Sequence, residues 1–243
     1  MKFQNSNFKN RRAQRNRIGS GCLAFFWSLA FGVTNFPCPA ADTNAVLDSW
    51  FAAQKDFHTW SADAVQTRSL KTFSQPLVST GRVWVVVPDR FRWELGQPAQ
   101  TIALRQPDQL FIIYPRLKRV EKYPLNDKQP GPWRDALALL DASFPRNRAD
   151  LDSRFRLLSV VQTNATVQVT LQPRSQSARR FMSEIQVSFY TNDFSPASTE
   201  MKFSDGSSMR NDFANGVVNV PINAGLFEVK SDTNFTVVEP LRQ

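Results

Sequence analysis

A chain of 243 residues with 42% apolar content, including 20 Phe and 6 Trp, is long and greasy enough to bury one sizeable core. Its net charge of +9 is concentrated at the start: residues 1–41 hold Lys2, Lys9, Arg11, Arg12, Arg15 and Arg17 and no acid, and removing these six of 30 basic residues leaves 24 against 21 acidic. The remainder lacks the clustered basic face that nucleic-acid binding needs. Both cysteines, Cys22 and Cys38, lie in that same leader, so disulfides, thiol chemistry and Cys-based metal sites are excluded from residues 42–243.

The leader reads as a secretory signal peptide. A cationic region runs to Arg17, the apolar run Leu23–Val33 comes next, and Pro37 to Ala41 supplies small residues for cleavage after Ala40 or Ala41. The run is shorter than the ~20 residues of a comfortable membrane span. Asn35-Phe36-Pro37 is the wrong context for acylation of Cys38. The expected organisation is a signal peptide over 1–41 and one exported domain over 42–243.

Thr43 is placed to cap a first helix. Val46, Leu47, Trp50, Phe51, Gln54 and Phe57 succeed it at helical spacing, so this helix is expected to run about four turns, to near His58. Segments rich in Val, Phe, Trp, Thr and Tyr then predict strands near 62–71, 79–87, 90–95, 100–105, 109–114 and 117–123, separated by breakers such as Pro88-Asp89, Gly96-Gln97-Pro98 and Pro107-Asp108. A second helix is expected from Pro130 to Phe144. Its stripe is Trp133, Ala136, Leu137, Leu140 and Phe144, Pro145 stops it, and a short helical turn is expected at 147–152. Strands resume near 154–162, 165–172, 181–191, 196–204 and 207–214, and the last apolar piece is Gly225–Val229. Strands joined by short turns, without βαβ alternation, predict an antiparallel meander of about ten to eleven strands covered by two amphipathic helices, a mainly β (α+β) fold.

No catalytic constellation emerges. A lone His58 excludes a multi-His zinc site. Gly206-Ser207-Ser208-Met209-Arg210 fails the last position of a nucleophile elbow, no phosphate-cradling glycine loop occurs, and Asp150 with Asp152 sits beside Arg148 and Arg154 as a charge-mixed turn. No catalytic residue, metal or cofactor is therefore expected. What remains is an apolar face. Phe91, Trp93 and Leu95 alternate at period two, Ile102 with Leu104 and Phe111 with Ile113 do so on the neighbouring strands, and Val83, Val85 and Val87 extend the set. Trp84 has the opposite parity and is expected on the outer face or in helix packing. The residues alone leave open whether this face is a solid core or the wall of a pocket.

The segment Gly81-Arg82-Val83-Trp84-Val85-Val86-Val87-Pro88-Asp89-Arg90-Phe91-Arg92-Trp93 resembles the LolA family pattern G-x-x-W-V-x-x-P-x-x-F-x-W, and the likeness continues through Gln97-Pro98, Ile102 and Leu110–Pro115. Ser61-Ala62-Asp63 with Gln66-Thr67 resembles the family's S-A-D-F-x-Q-T, with Ala64 where Phe is preferred. Leu226–Val229 with Thr236-Val237-Val238 resembles its closing element. The resemblance implies a half-closed antiparallel barrel with helices across an apolar cavity that holds the acyl chains of lipoproteins. It implies cavity walls from Val85, Val87, Phe91, Trp93, Leu95, Ile102, Leu104, Phe111 and Ile113, and lid helices carrying Trp50, Phe51, Leu137, Leu140 and Phe144. It further implies a monomeric periplasmic carrier without a cofactor, loaded by a LolCDE-like ABC transporter of the inner membrane and emptied onto a LolB-like acceptor of the outer membrane. A lipid- or lipoprotein-sensing regulator similar to RseB is the alternative on the same fold. It would use an extra domain, for which the residues after Glu239-Pro240-Leu241 leave no room. Val87 stands where the family carries a basic residue before the motif Pro, thought to latch the lid, so here apolar contacts are expected to hold the lid instead.

Overall fold

The computed structural model describes residues 43–125, 144–229 and 234–240. The expected signal peptide and most of the expected second helix, with Leu137 and Leu140, lie outside them.

The described chain opens with helix α1 (Thr43–Gln54), which buries Leu47, Trp50 and Phe51. It stops short of His58, and tightened bonds from the amides of Lys55, Asp56 and Phe57 to the carbonyls three residues back end it. The physical reason is that Phe57 turns away to a different cluster from Leu47 and Trp50. Asn219 fastens the exit: its Oδ1 accepts from the His58 amide at 2.8 Å, and its Nδ2 donates to the Asp56 carbonyl at 2.6 Å.

Strands β1 (Thr59–Ser69), β2 (Leu77–Val86), β3 (Arg90–Leu95), β4 (Thr101–Gln106), β5 (Gln109–Tyr114) and β6 (Arg119–Pro124) form a meander. Helix α2 (Arg148–Arg154) starts at Asn147, whose side chain accepts from the Asp150 amide at 2.9 Å, and it leads into β7 (Phe155–Gln162) and β8 (Thr166–Pro173). A second short helix, α3 (Gln176–Phe181), capped by Ser175, precedes β9 (Met182–Tyr190), β10 (Pro196–Phe203) and β11 (Ser208–Val218). The last apolar piece holds a 3-10 turn (Ala224–Phe227), and β12 (Thr236–Val238) is the last strand of the described residues. Neither α3 nor the three-residue β12 is long enough to show a period in the sequence.

The twelve strands of the described residues form one sheet in the order β12-β6-β5-β4-β3-β2-β1-β11-β10-β9-β8-β7, antiparallel throughout except where β12 runs parallel to β6. The sheet is open, with β7 and β12 at its ends. It curls: Trp93 on β3 and Phe213 on β11 lie three strand steps apart, roughly 14 Å along a flat sheet, yet their ring centroids are 5.8 Å apart. Two glycines of the motif region show why the chain folds this way locally. A Cβ on Gly81 would lie 1.8 Å from the Glu94 carbonyl oxygen, so only glycine lets β2 lie this close to β3. Gly96 takes φ +94° to turn β3 into β4.

Candidate functional site

Cross-strand register sorts the apolar residues into two faces. On the inner face, Ala62 pairs with Val83 and Trp60 with Val85, Val83 with Trp93 and Val85 with Phe91, and Trp93 with Ala103. Ala103 pairs with Ile112, Leu110 with Tyr123, and Phe213 with Ala64. These residues, with Phe57, form one apolar cluster, flanked by the half-buried Val87, Trp93 and Phe144. Its centre is aromatic. Phe213 meets Trp60 edge-on at 4.9 Å, Trp93 lies on its other side, and Phe144 packs on Phe57 at 5.0 Å and on Trp60 at 6.2 Å. Ala62, Ala64 and Ala103 keep the strands beneath these rings thin. Among the described residues, the indole Nε1 atoms of Trp60 and Trp93 are buried without a hydrogen-bond partner, each at a cost of about 1–3 kcal/mol.

The same inner face continues over β8–β10 as a second apolar core. α1 lays Trp50 on Phe189, with stacked rings 4.6 Å apart, among Leu171, Ile185, Val187 and Met201. A polar seam divides the two halves: Gln66 Nε2 donates to Asn211 Oδ1 at 3.0 Å and Asn211 Nδ2 to Thr199 Oγ1 at 3.1 Å, with Asn211 fully buried. At the β6 side a charged rim bounds the aromatic half. Arg119 pairs with Glu121 at 2.7 Å, and Tyr123 Oη donates to Glu121 at 2.8 Å. Burial, then the Glu121 charge, pushes the neighbouring Tyr114 phenol above its ordinary value.

The structure divides the expected cavity wall. Val85, Val87, Phe91 and Trp93 share the aromatic inner face, and half-buried Leu95 continues their strand parity opposite Gly81. Ile102, Leu104, Phe111 and Ile113 do not join them. Leu104 pairs with Arg92, and Ile102 with Glu94 and Ile113, which sets them on the outer face. There they pack with Val120 and Trp84 beneath Ile222, Leu226, Phe227 and Phe235 of the C-terminal segment. Arg92 Nη1 and Gln106 Nε2 fasten that segment by donating to the Leu226 and Phe227 carbonyls. Trp84 thus has the outer position its parity predicts. β5 is buried on both faces, so its run Leu110-Phe111-Ile112-Ile113 has no polar alternation to reveal which pair points inward. In β4 the larger side chains serve the outer face because the C-terminal segment makes that face a second core. Of the expected lid residues, Trp50 and Phe51 pack in the β8–β10 core, and Phe144 packs against the aromatic cluster. Sequence reasoning missed Phe57, Trp60, Tyr123 and Phe213. Trp60 was legible in principle, since it alternates with Ala62 and Ala64 directly ahead of the motif strand.

Among the described residues no three His, Cys, Asp or Glu side chains gather where they could hold a metal, and no helix is long and apolar enough to cross a membrane. What the inner face offers is a buried apolar and aromatic cluster beside a charged rim, with no catalytic constellation among the described residues. Residues 55–230 match the family described as outer membrane lipoprotein carrier protein LolA, and the chain belongs to that family. It is 28% identical over 107 residues to an outer-membrane lipoprotein carrier protein of Chromohalobacter salexigens, covering 43% of this chain and 50% of that one. The chain therefore aligns with about half the length of that relative. Among solved structures, it is similar to the LolA superfamily protein NE2245 of Nitrosomonas europaea (8% identity, 76% of this chain and 96% of that chain, TM-score 0.40). It is also similar to a chain of the Pseudomonas aeruginosa MucA/MucB complex (16% identity, 82% and 64%, TM-score 0.43).

Proposed function

We propose that this chain is a periplasmic carrier that shields the acyl chains of lipoproteins between the inner and outer membranes. The observation that carries this reading is the aromatic inner face within a LolA-family chain: Trp60, Trp93 and Phe213 converge over a floor thinned by alanines. An acyl chain in water costs about 0.8 kcal/mol per CH₂, so a lipoprotein with several chains needs apolar walls to cross an aqueous space. The unpartnered Trp93 indole N–H suits the carbonyl of an ester- or amide-linked acyl chain, an acceptor that a purely hydrocarbon surface does not supply.

In this reading the 1–41 leader is cleaved on export, a LolCDE-like transporter loads the cargo and a LolB-like acceptor takes it. The wall comprises Val85, Val87, Phe91 and Trp93 with Trp60 and Phe213. Native purification of the exported protein, with mass spectrometry of what accompanies it, tests the proposal. Triacylated or diacylated lipoproteins are the expected companions. Recovery of phospholipid alone would assign a different cargo, and recovery of a membrane-anchored regulatory protein would make the chain a sensor.

A further inference from the structure

The β1–β2 hairpin ends in a tip that the core does not explain. Every residue from 71 to 80 is exposed, including Phe73 at 58%, Leu77 at 47% and Val78 at 59%. Three bare apolar side chains within six residues are more than a chain reversal requires. The stretch between Asp63 and Asp89 contains no acid and carries Arg68, Lys71 and Arg82.

A second segment meets it at the same end of the sheet. Ser69, the last residue of β1, pairs with Ser208, and Ser208 with Lys202, so the hairpin tip and the β10–β11 turn emerge side by side. Lys71 is close enough to Asp205 in that turn to help lower its carboxyl pKa, behind the larger effect of hydrogen bonds from Ser207. The turn in turn holds α3: the Ser204 amide donates to the Phe181 carbonyl at 2.9 Å, and Ser204 Oγ to the Arg180 carbonyl. α3 presents Phe181, 55% exposed, next to exposed Arg179 and Arg180, in a stretch from Ser153 to Ser183 that also lacks any acid.

The carboxylates at this end each have a polar partner. Glu184 takes Lys202 at 2.8 Å, Glu200 faces Arg210 at 3.8 Å, and Asp205 accepts from Ser207 Oγ at 2.6 Å. Arg68, Lys71, Arg179, Arg180, Lys202 and Arg210 outnumber Glu184, Glu200, Asp205 and Asp212 six to four, so this end carries a positive excess beside two bare phenylalanines.

We propose that this end of the molecule, built from the hairpin tip and α3, docks the protein on an anionic phospholipid surface. Phe73 and Phe181 enter the boundary between headgroups and acyl chains, while Arg68, Lys71 and Arg180 meet lipid phosphates. Aromatic rings and cationic side chains on one patch are the pair of features that binds a membrane interface reversibly without spanning it. Such docking goes beyond acyl-chain carriage, since it concerns where the protein stands when it loads or unloads. It does not depend on what the inner face holds.

Hydrogen exchange of the full chain, with vesicles of phosphatidylcholine alone or mixed with phosphatidylglycerol, reads the contact locally. Peptides covering 70–78 and 176–182 should be protected by the anionic vesicles only, and the protection should fade as salt rises. Phe73→Ser and Lys71→Gln, both at exposed positions, should each weaken vesicle affinity about fivefold and leave titration of a fluorescent fatty acid unchanged, which separates this surface from the cargo site. Absence of protection, equal protection by neutral vesicles, or protection indifferent to both variants would overturn the proposal.

Discussion

Gly81→Ala is the most discriminating test of the described fold. The added methyl would stand 1.8 Å from the Glu94 carbonyl oxygen and 3.1 Å from the Leu95 Cα, both backbone atoms that no rotamer change can move aside. Relief requires β2 and β3 to part by more than an ångström around the Gly81–Leu95 and Arg82–Glu94 pairs. Two ladder hydrogen bonds weakened at roughly 0.5–1.5 kcal/mol each, plus looser packing of Val83 against Trp93, amount to about 2–4 kcal/mol. The smaller unfolded-state entropy of alanine returns only about 0.4–1 kcal/mol. Net destabilisation of about 1–3.5 kcal/mol is expected in urea unfolding monitored by tryptophan fluorescence. Binding of a fluorescent fatty acid should weaken as well, because Trp93 immediately precedes the clashing Glu94. Gly206→Ala is the control: its φ is +87° but nothing lies within 4 Å of the new Cβ, so only the left-handed backbone cost of about 1–2 kcal/mol applies. Equal stability of Gly81→Ala and the parent chain would refute the close approach of β2 to β3, and with it the registration of Trp93 on the inner face.

The other predictions concern the two halves of the inner face and the seam between them. Trp93→Phe should shrink the fluorescence change that a fatty-acid-bearing ligand produces, and an unaltered titration would place the ligand elsewhere. Trp50→Ala truncates the β8–β10 core and should cost about 3–5 kcal/mol in denaturant unfolding, while the ligand affinity of the folded fraction stays the same; a matching loss of affinity would mean that the two halves act as one pocket. Asn211→Ala strands Gln66 and Thr199 and should cost about 1–3 kcal/mol, checked by thermal unfolding alongside Thr199→Val. Lys202 lowers the Glu184 carboxyl pKa, chiefly through their hydrogen bond. That contribution is present above the unfolded Glu value and is lost as pH falls through the lower folded one. Lys202→Met should therefore melt below the parent chain at neutral pH, and the gap should close in acid; a gap independent of pH would assign the loss to packing instead.

The local pattern of the chain was sufficient for the strands themselves. β3 and β5 begin and end where alternation and turn residues place them, because Gly96-Gln97-Pro98 and Pro107-Asp108 interrupt pairing wherever they occur. Family membership was equally legible, since the spacing of Gly81, Trp84, Pro88, Phe91 and Trp93 is a property of one short segment. The inward or outward sense of β4 and β5 was not. A single strand reports which residues share a face, but only pairing to its neighbours reports which face that is. Polar alternation supplies the missing sign when one face meets water. Here the C-terminal turn covers the outer face at Ile102, Leu104, Phe111 and Ile113, so both faces are apolar and the sign disappears. The partition of the inner face was likewise a tertiary decision. Trp50 and Trp60 both read as buried aromatics, and only the path of α1 across β8–β10 places one in the β8–β10 cluster and leaves the other in the cluster of Trp93 and Phe213.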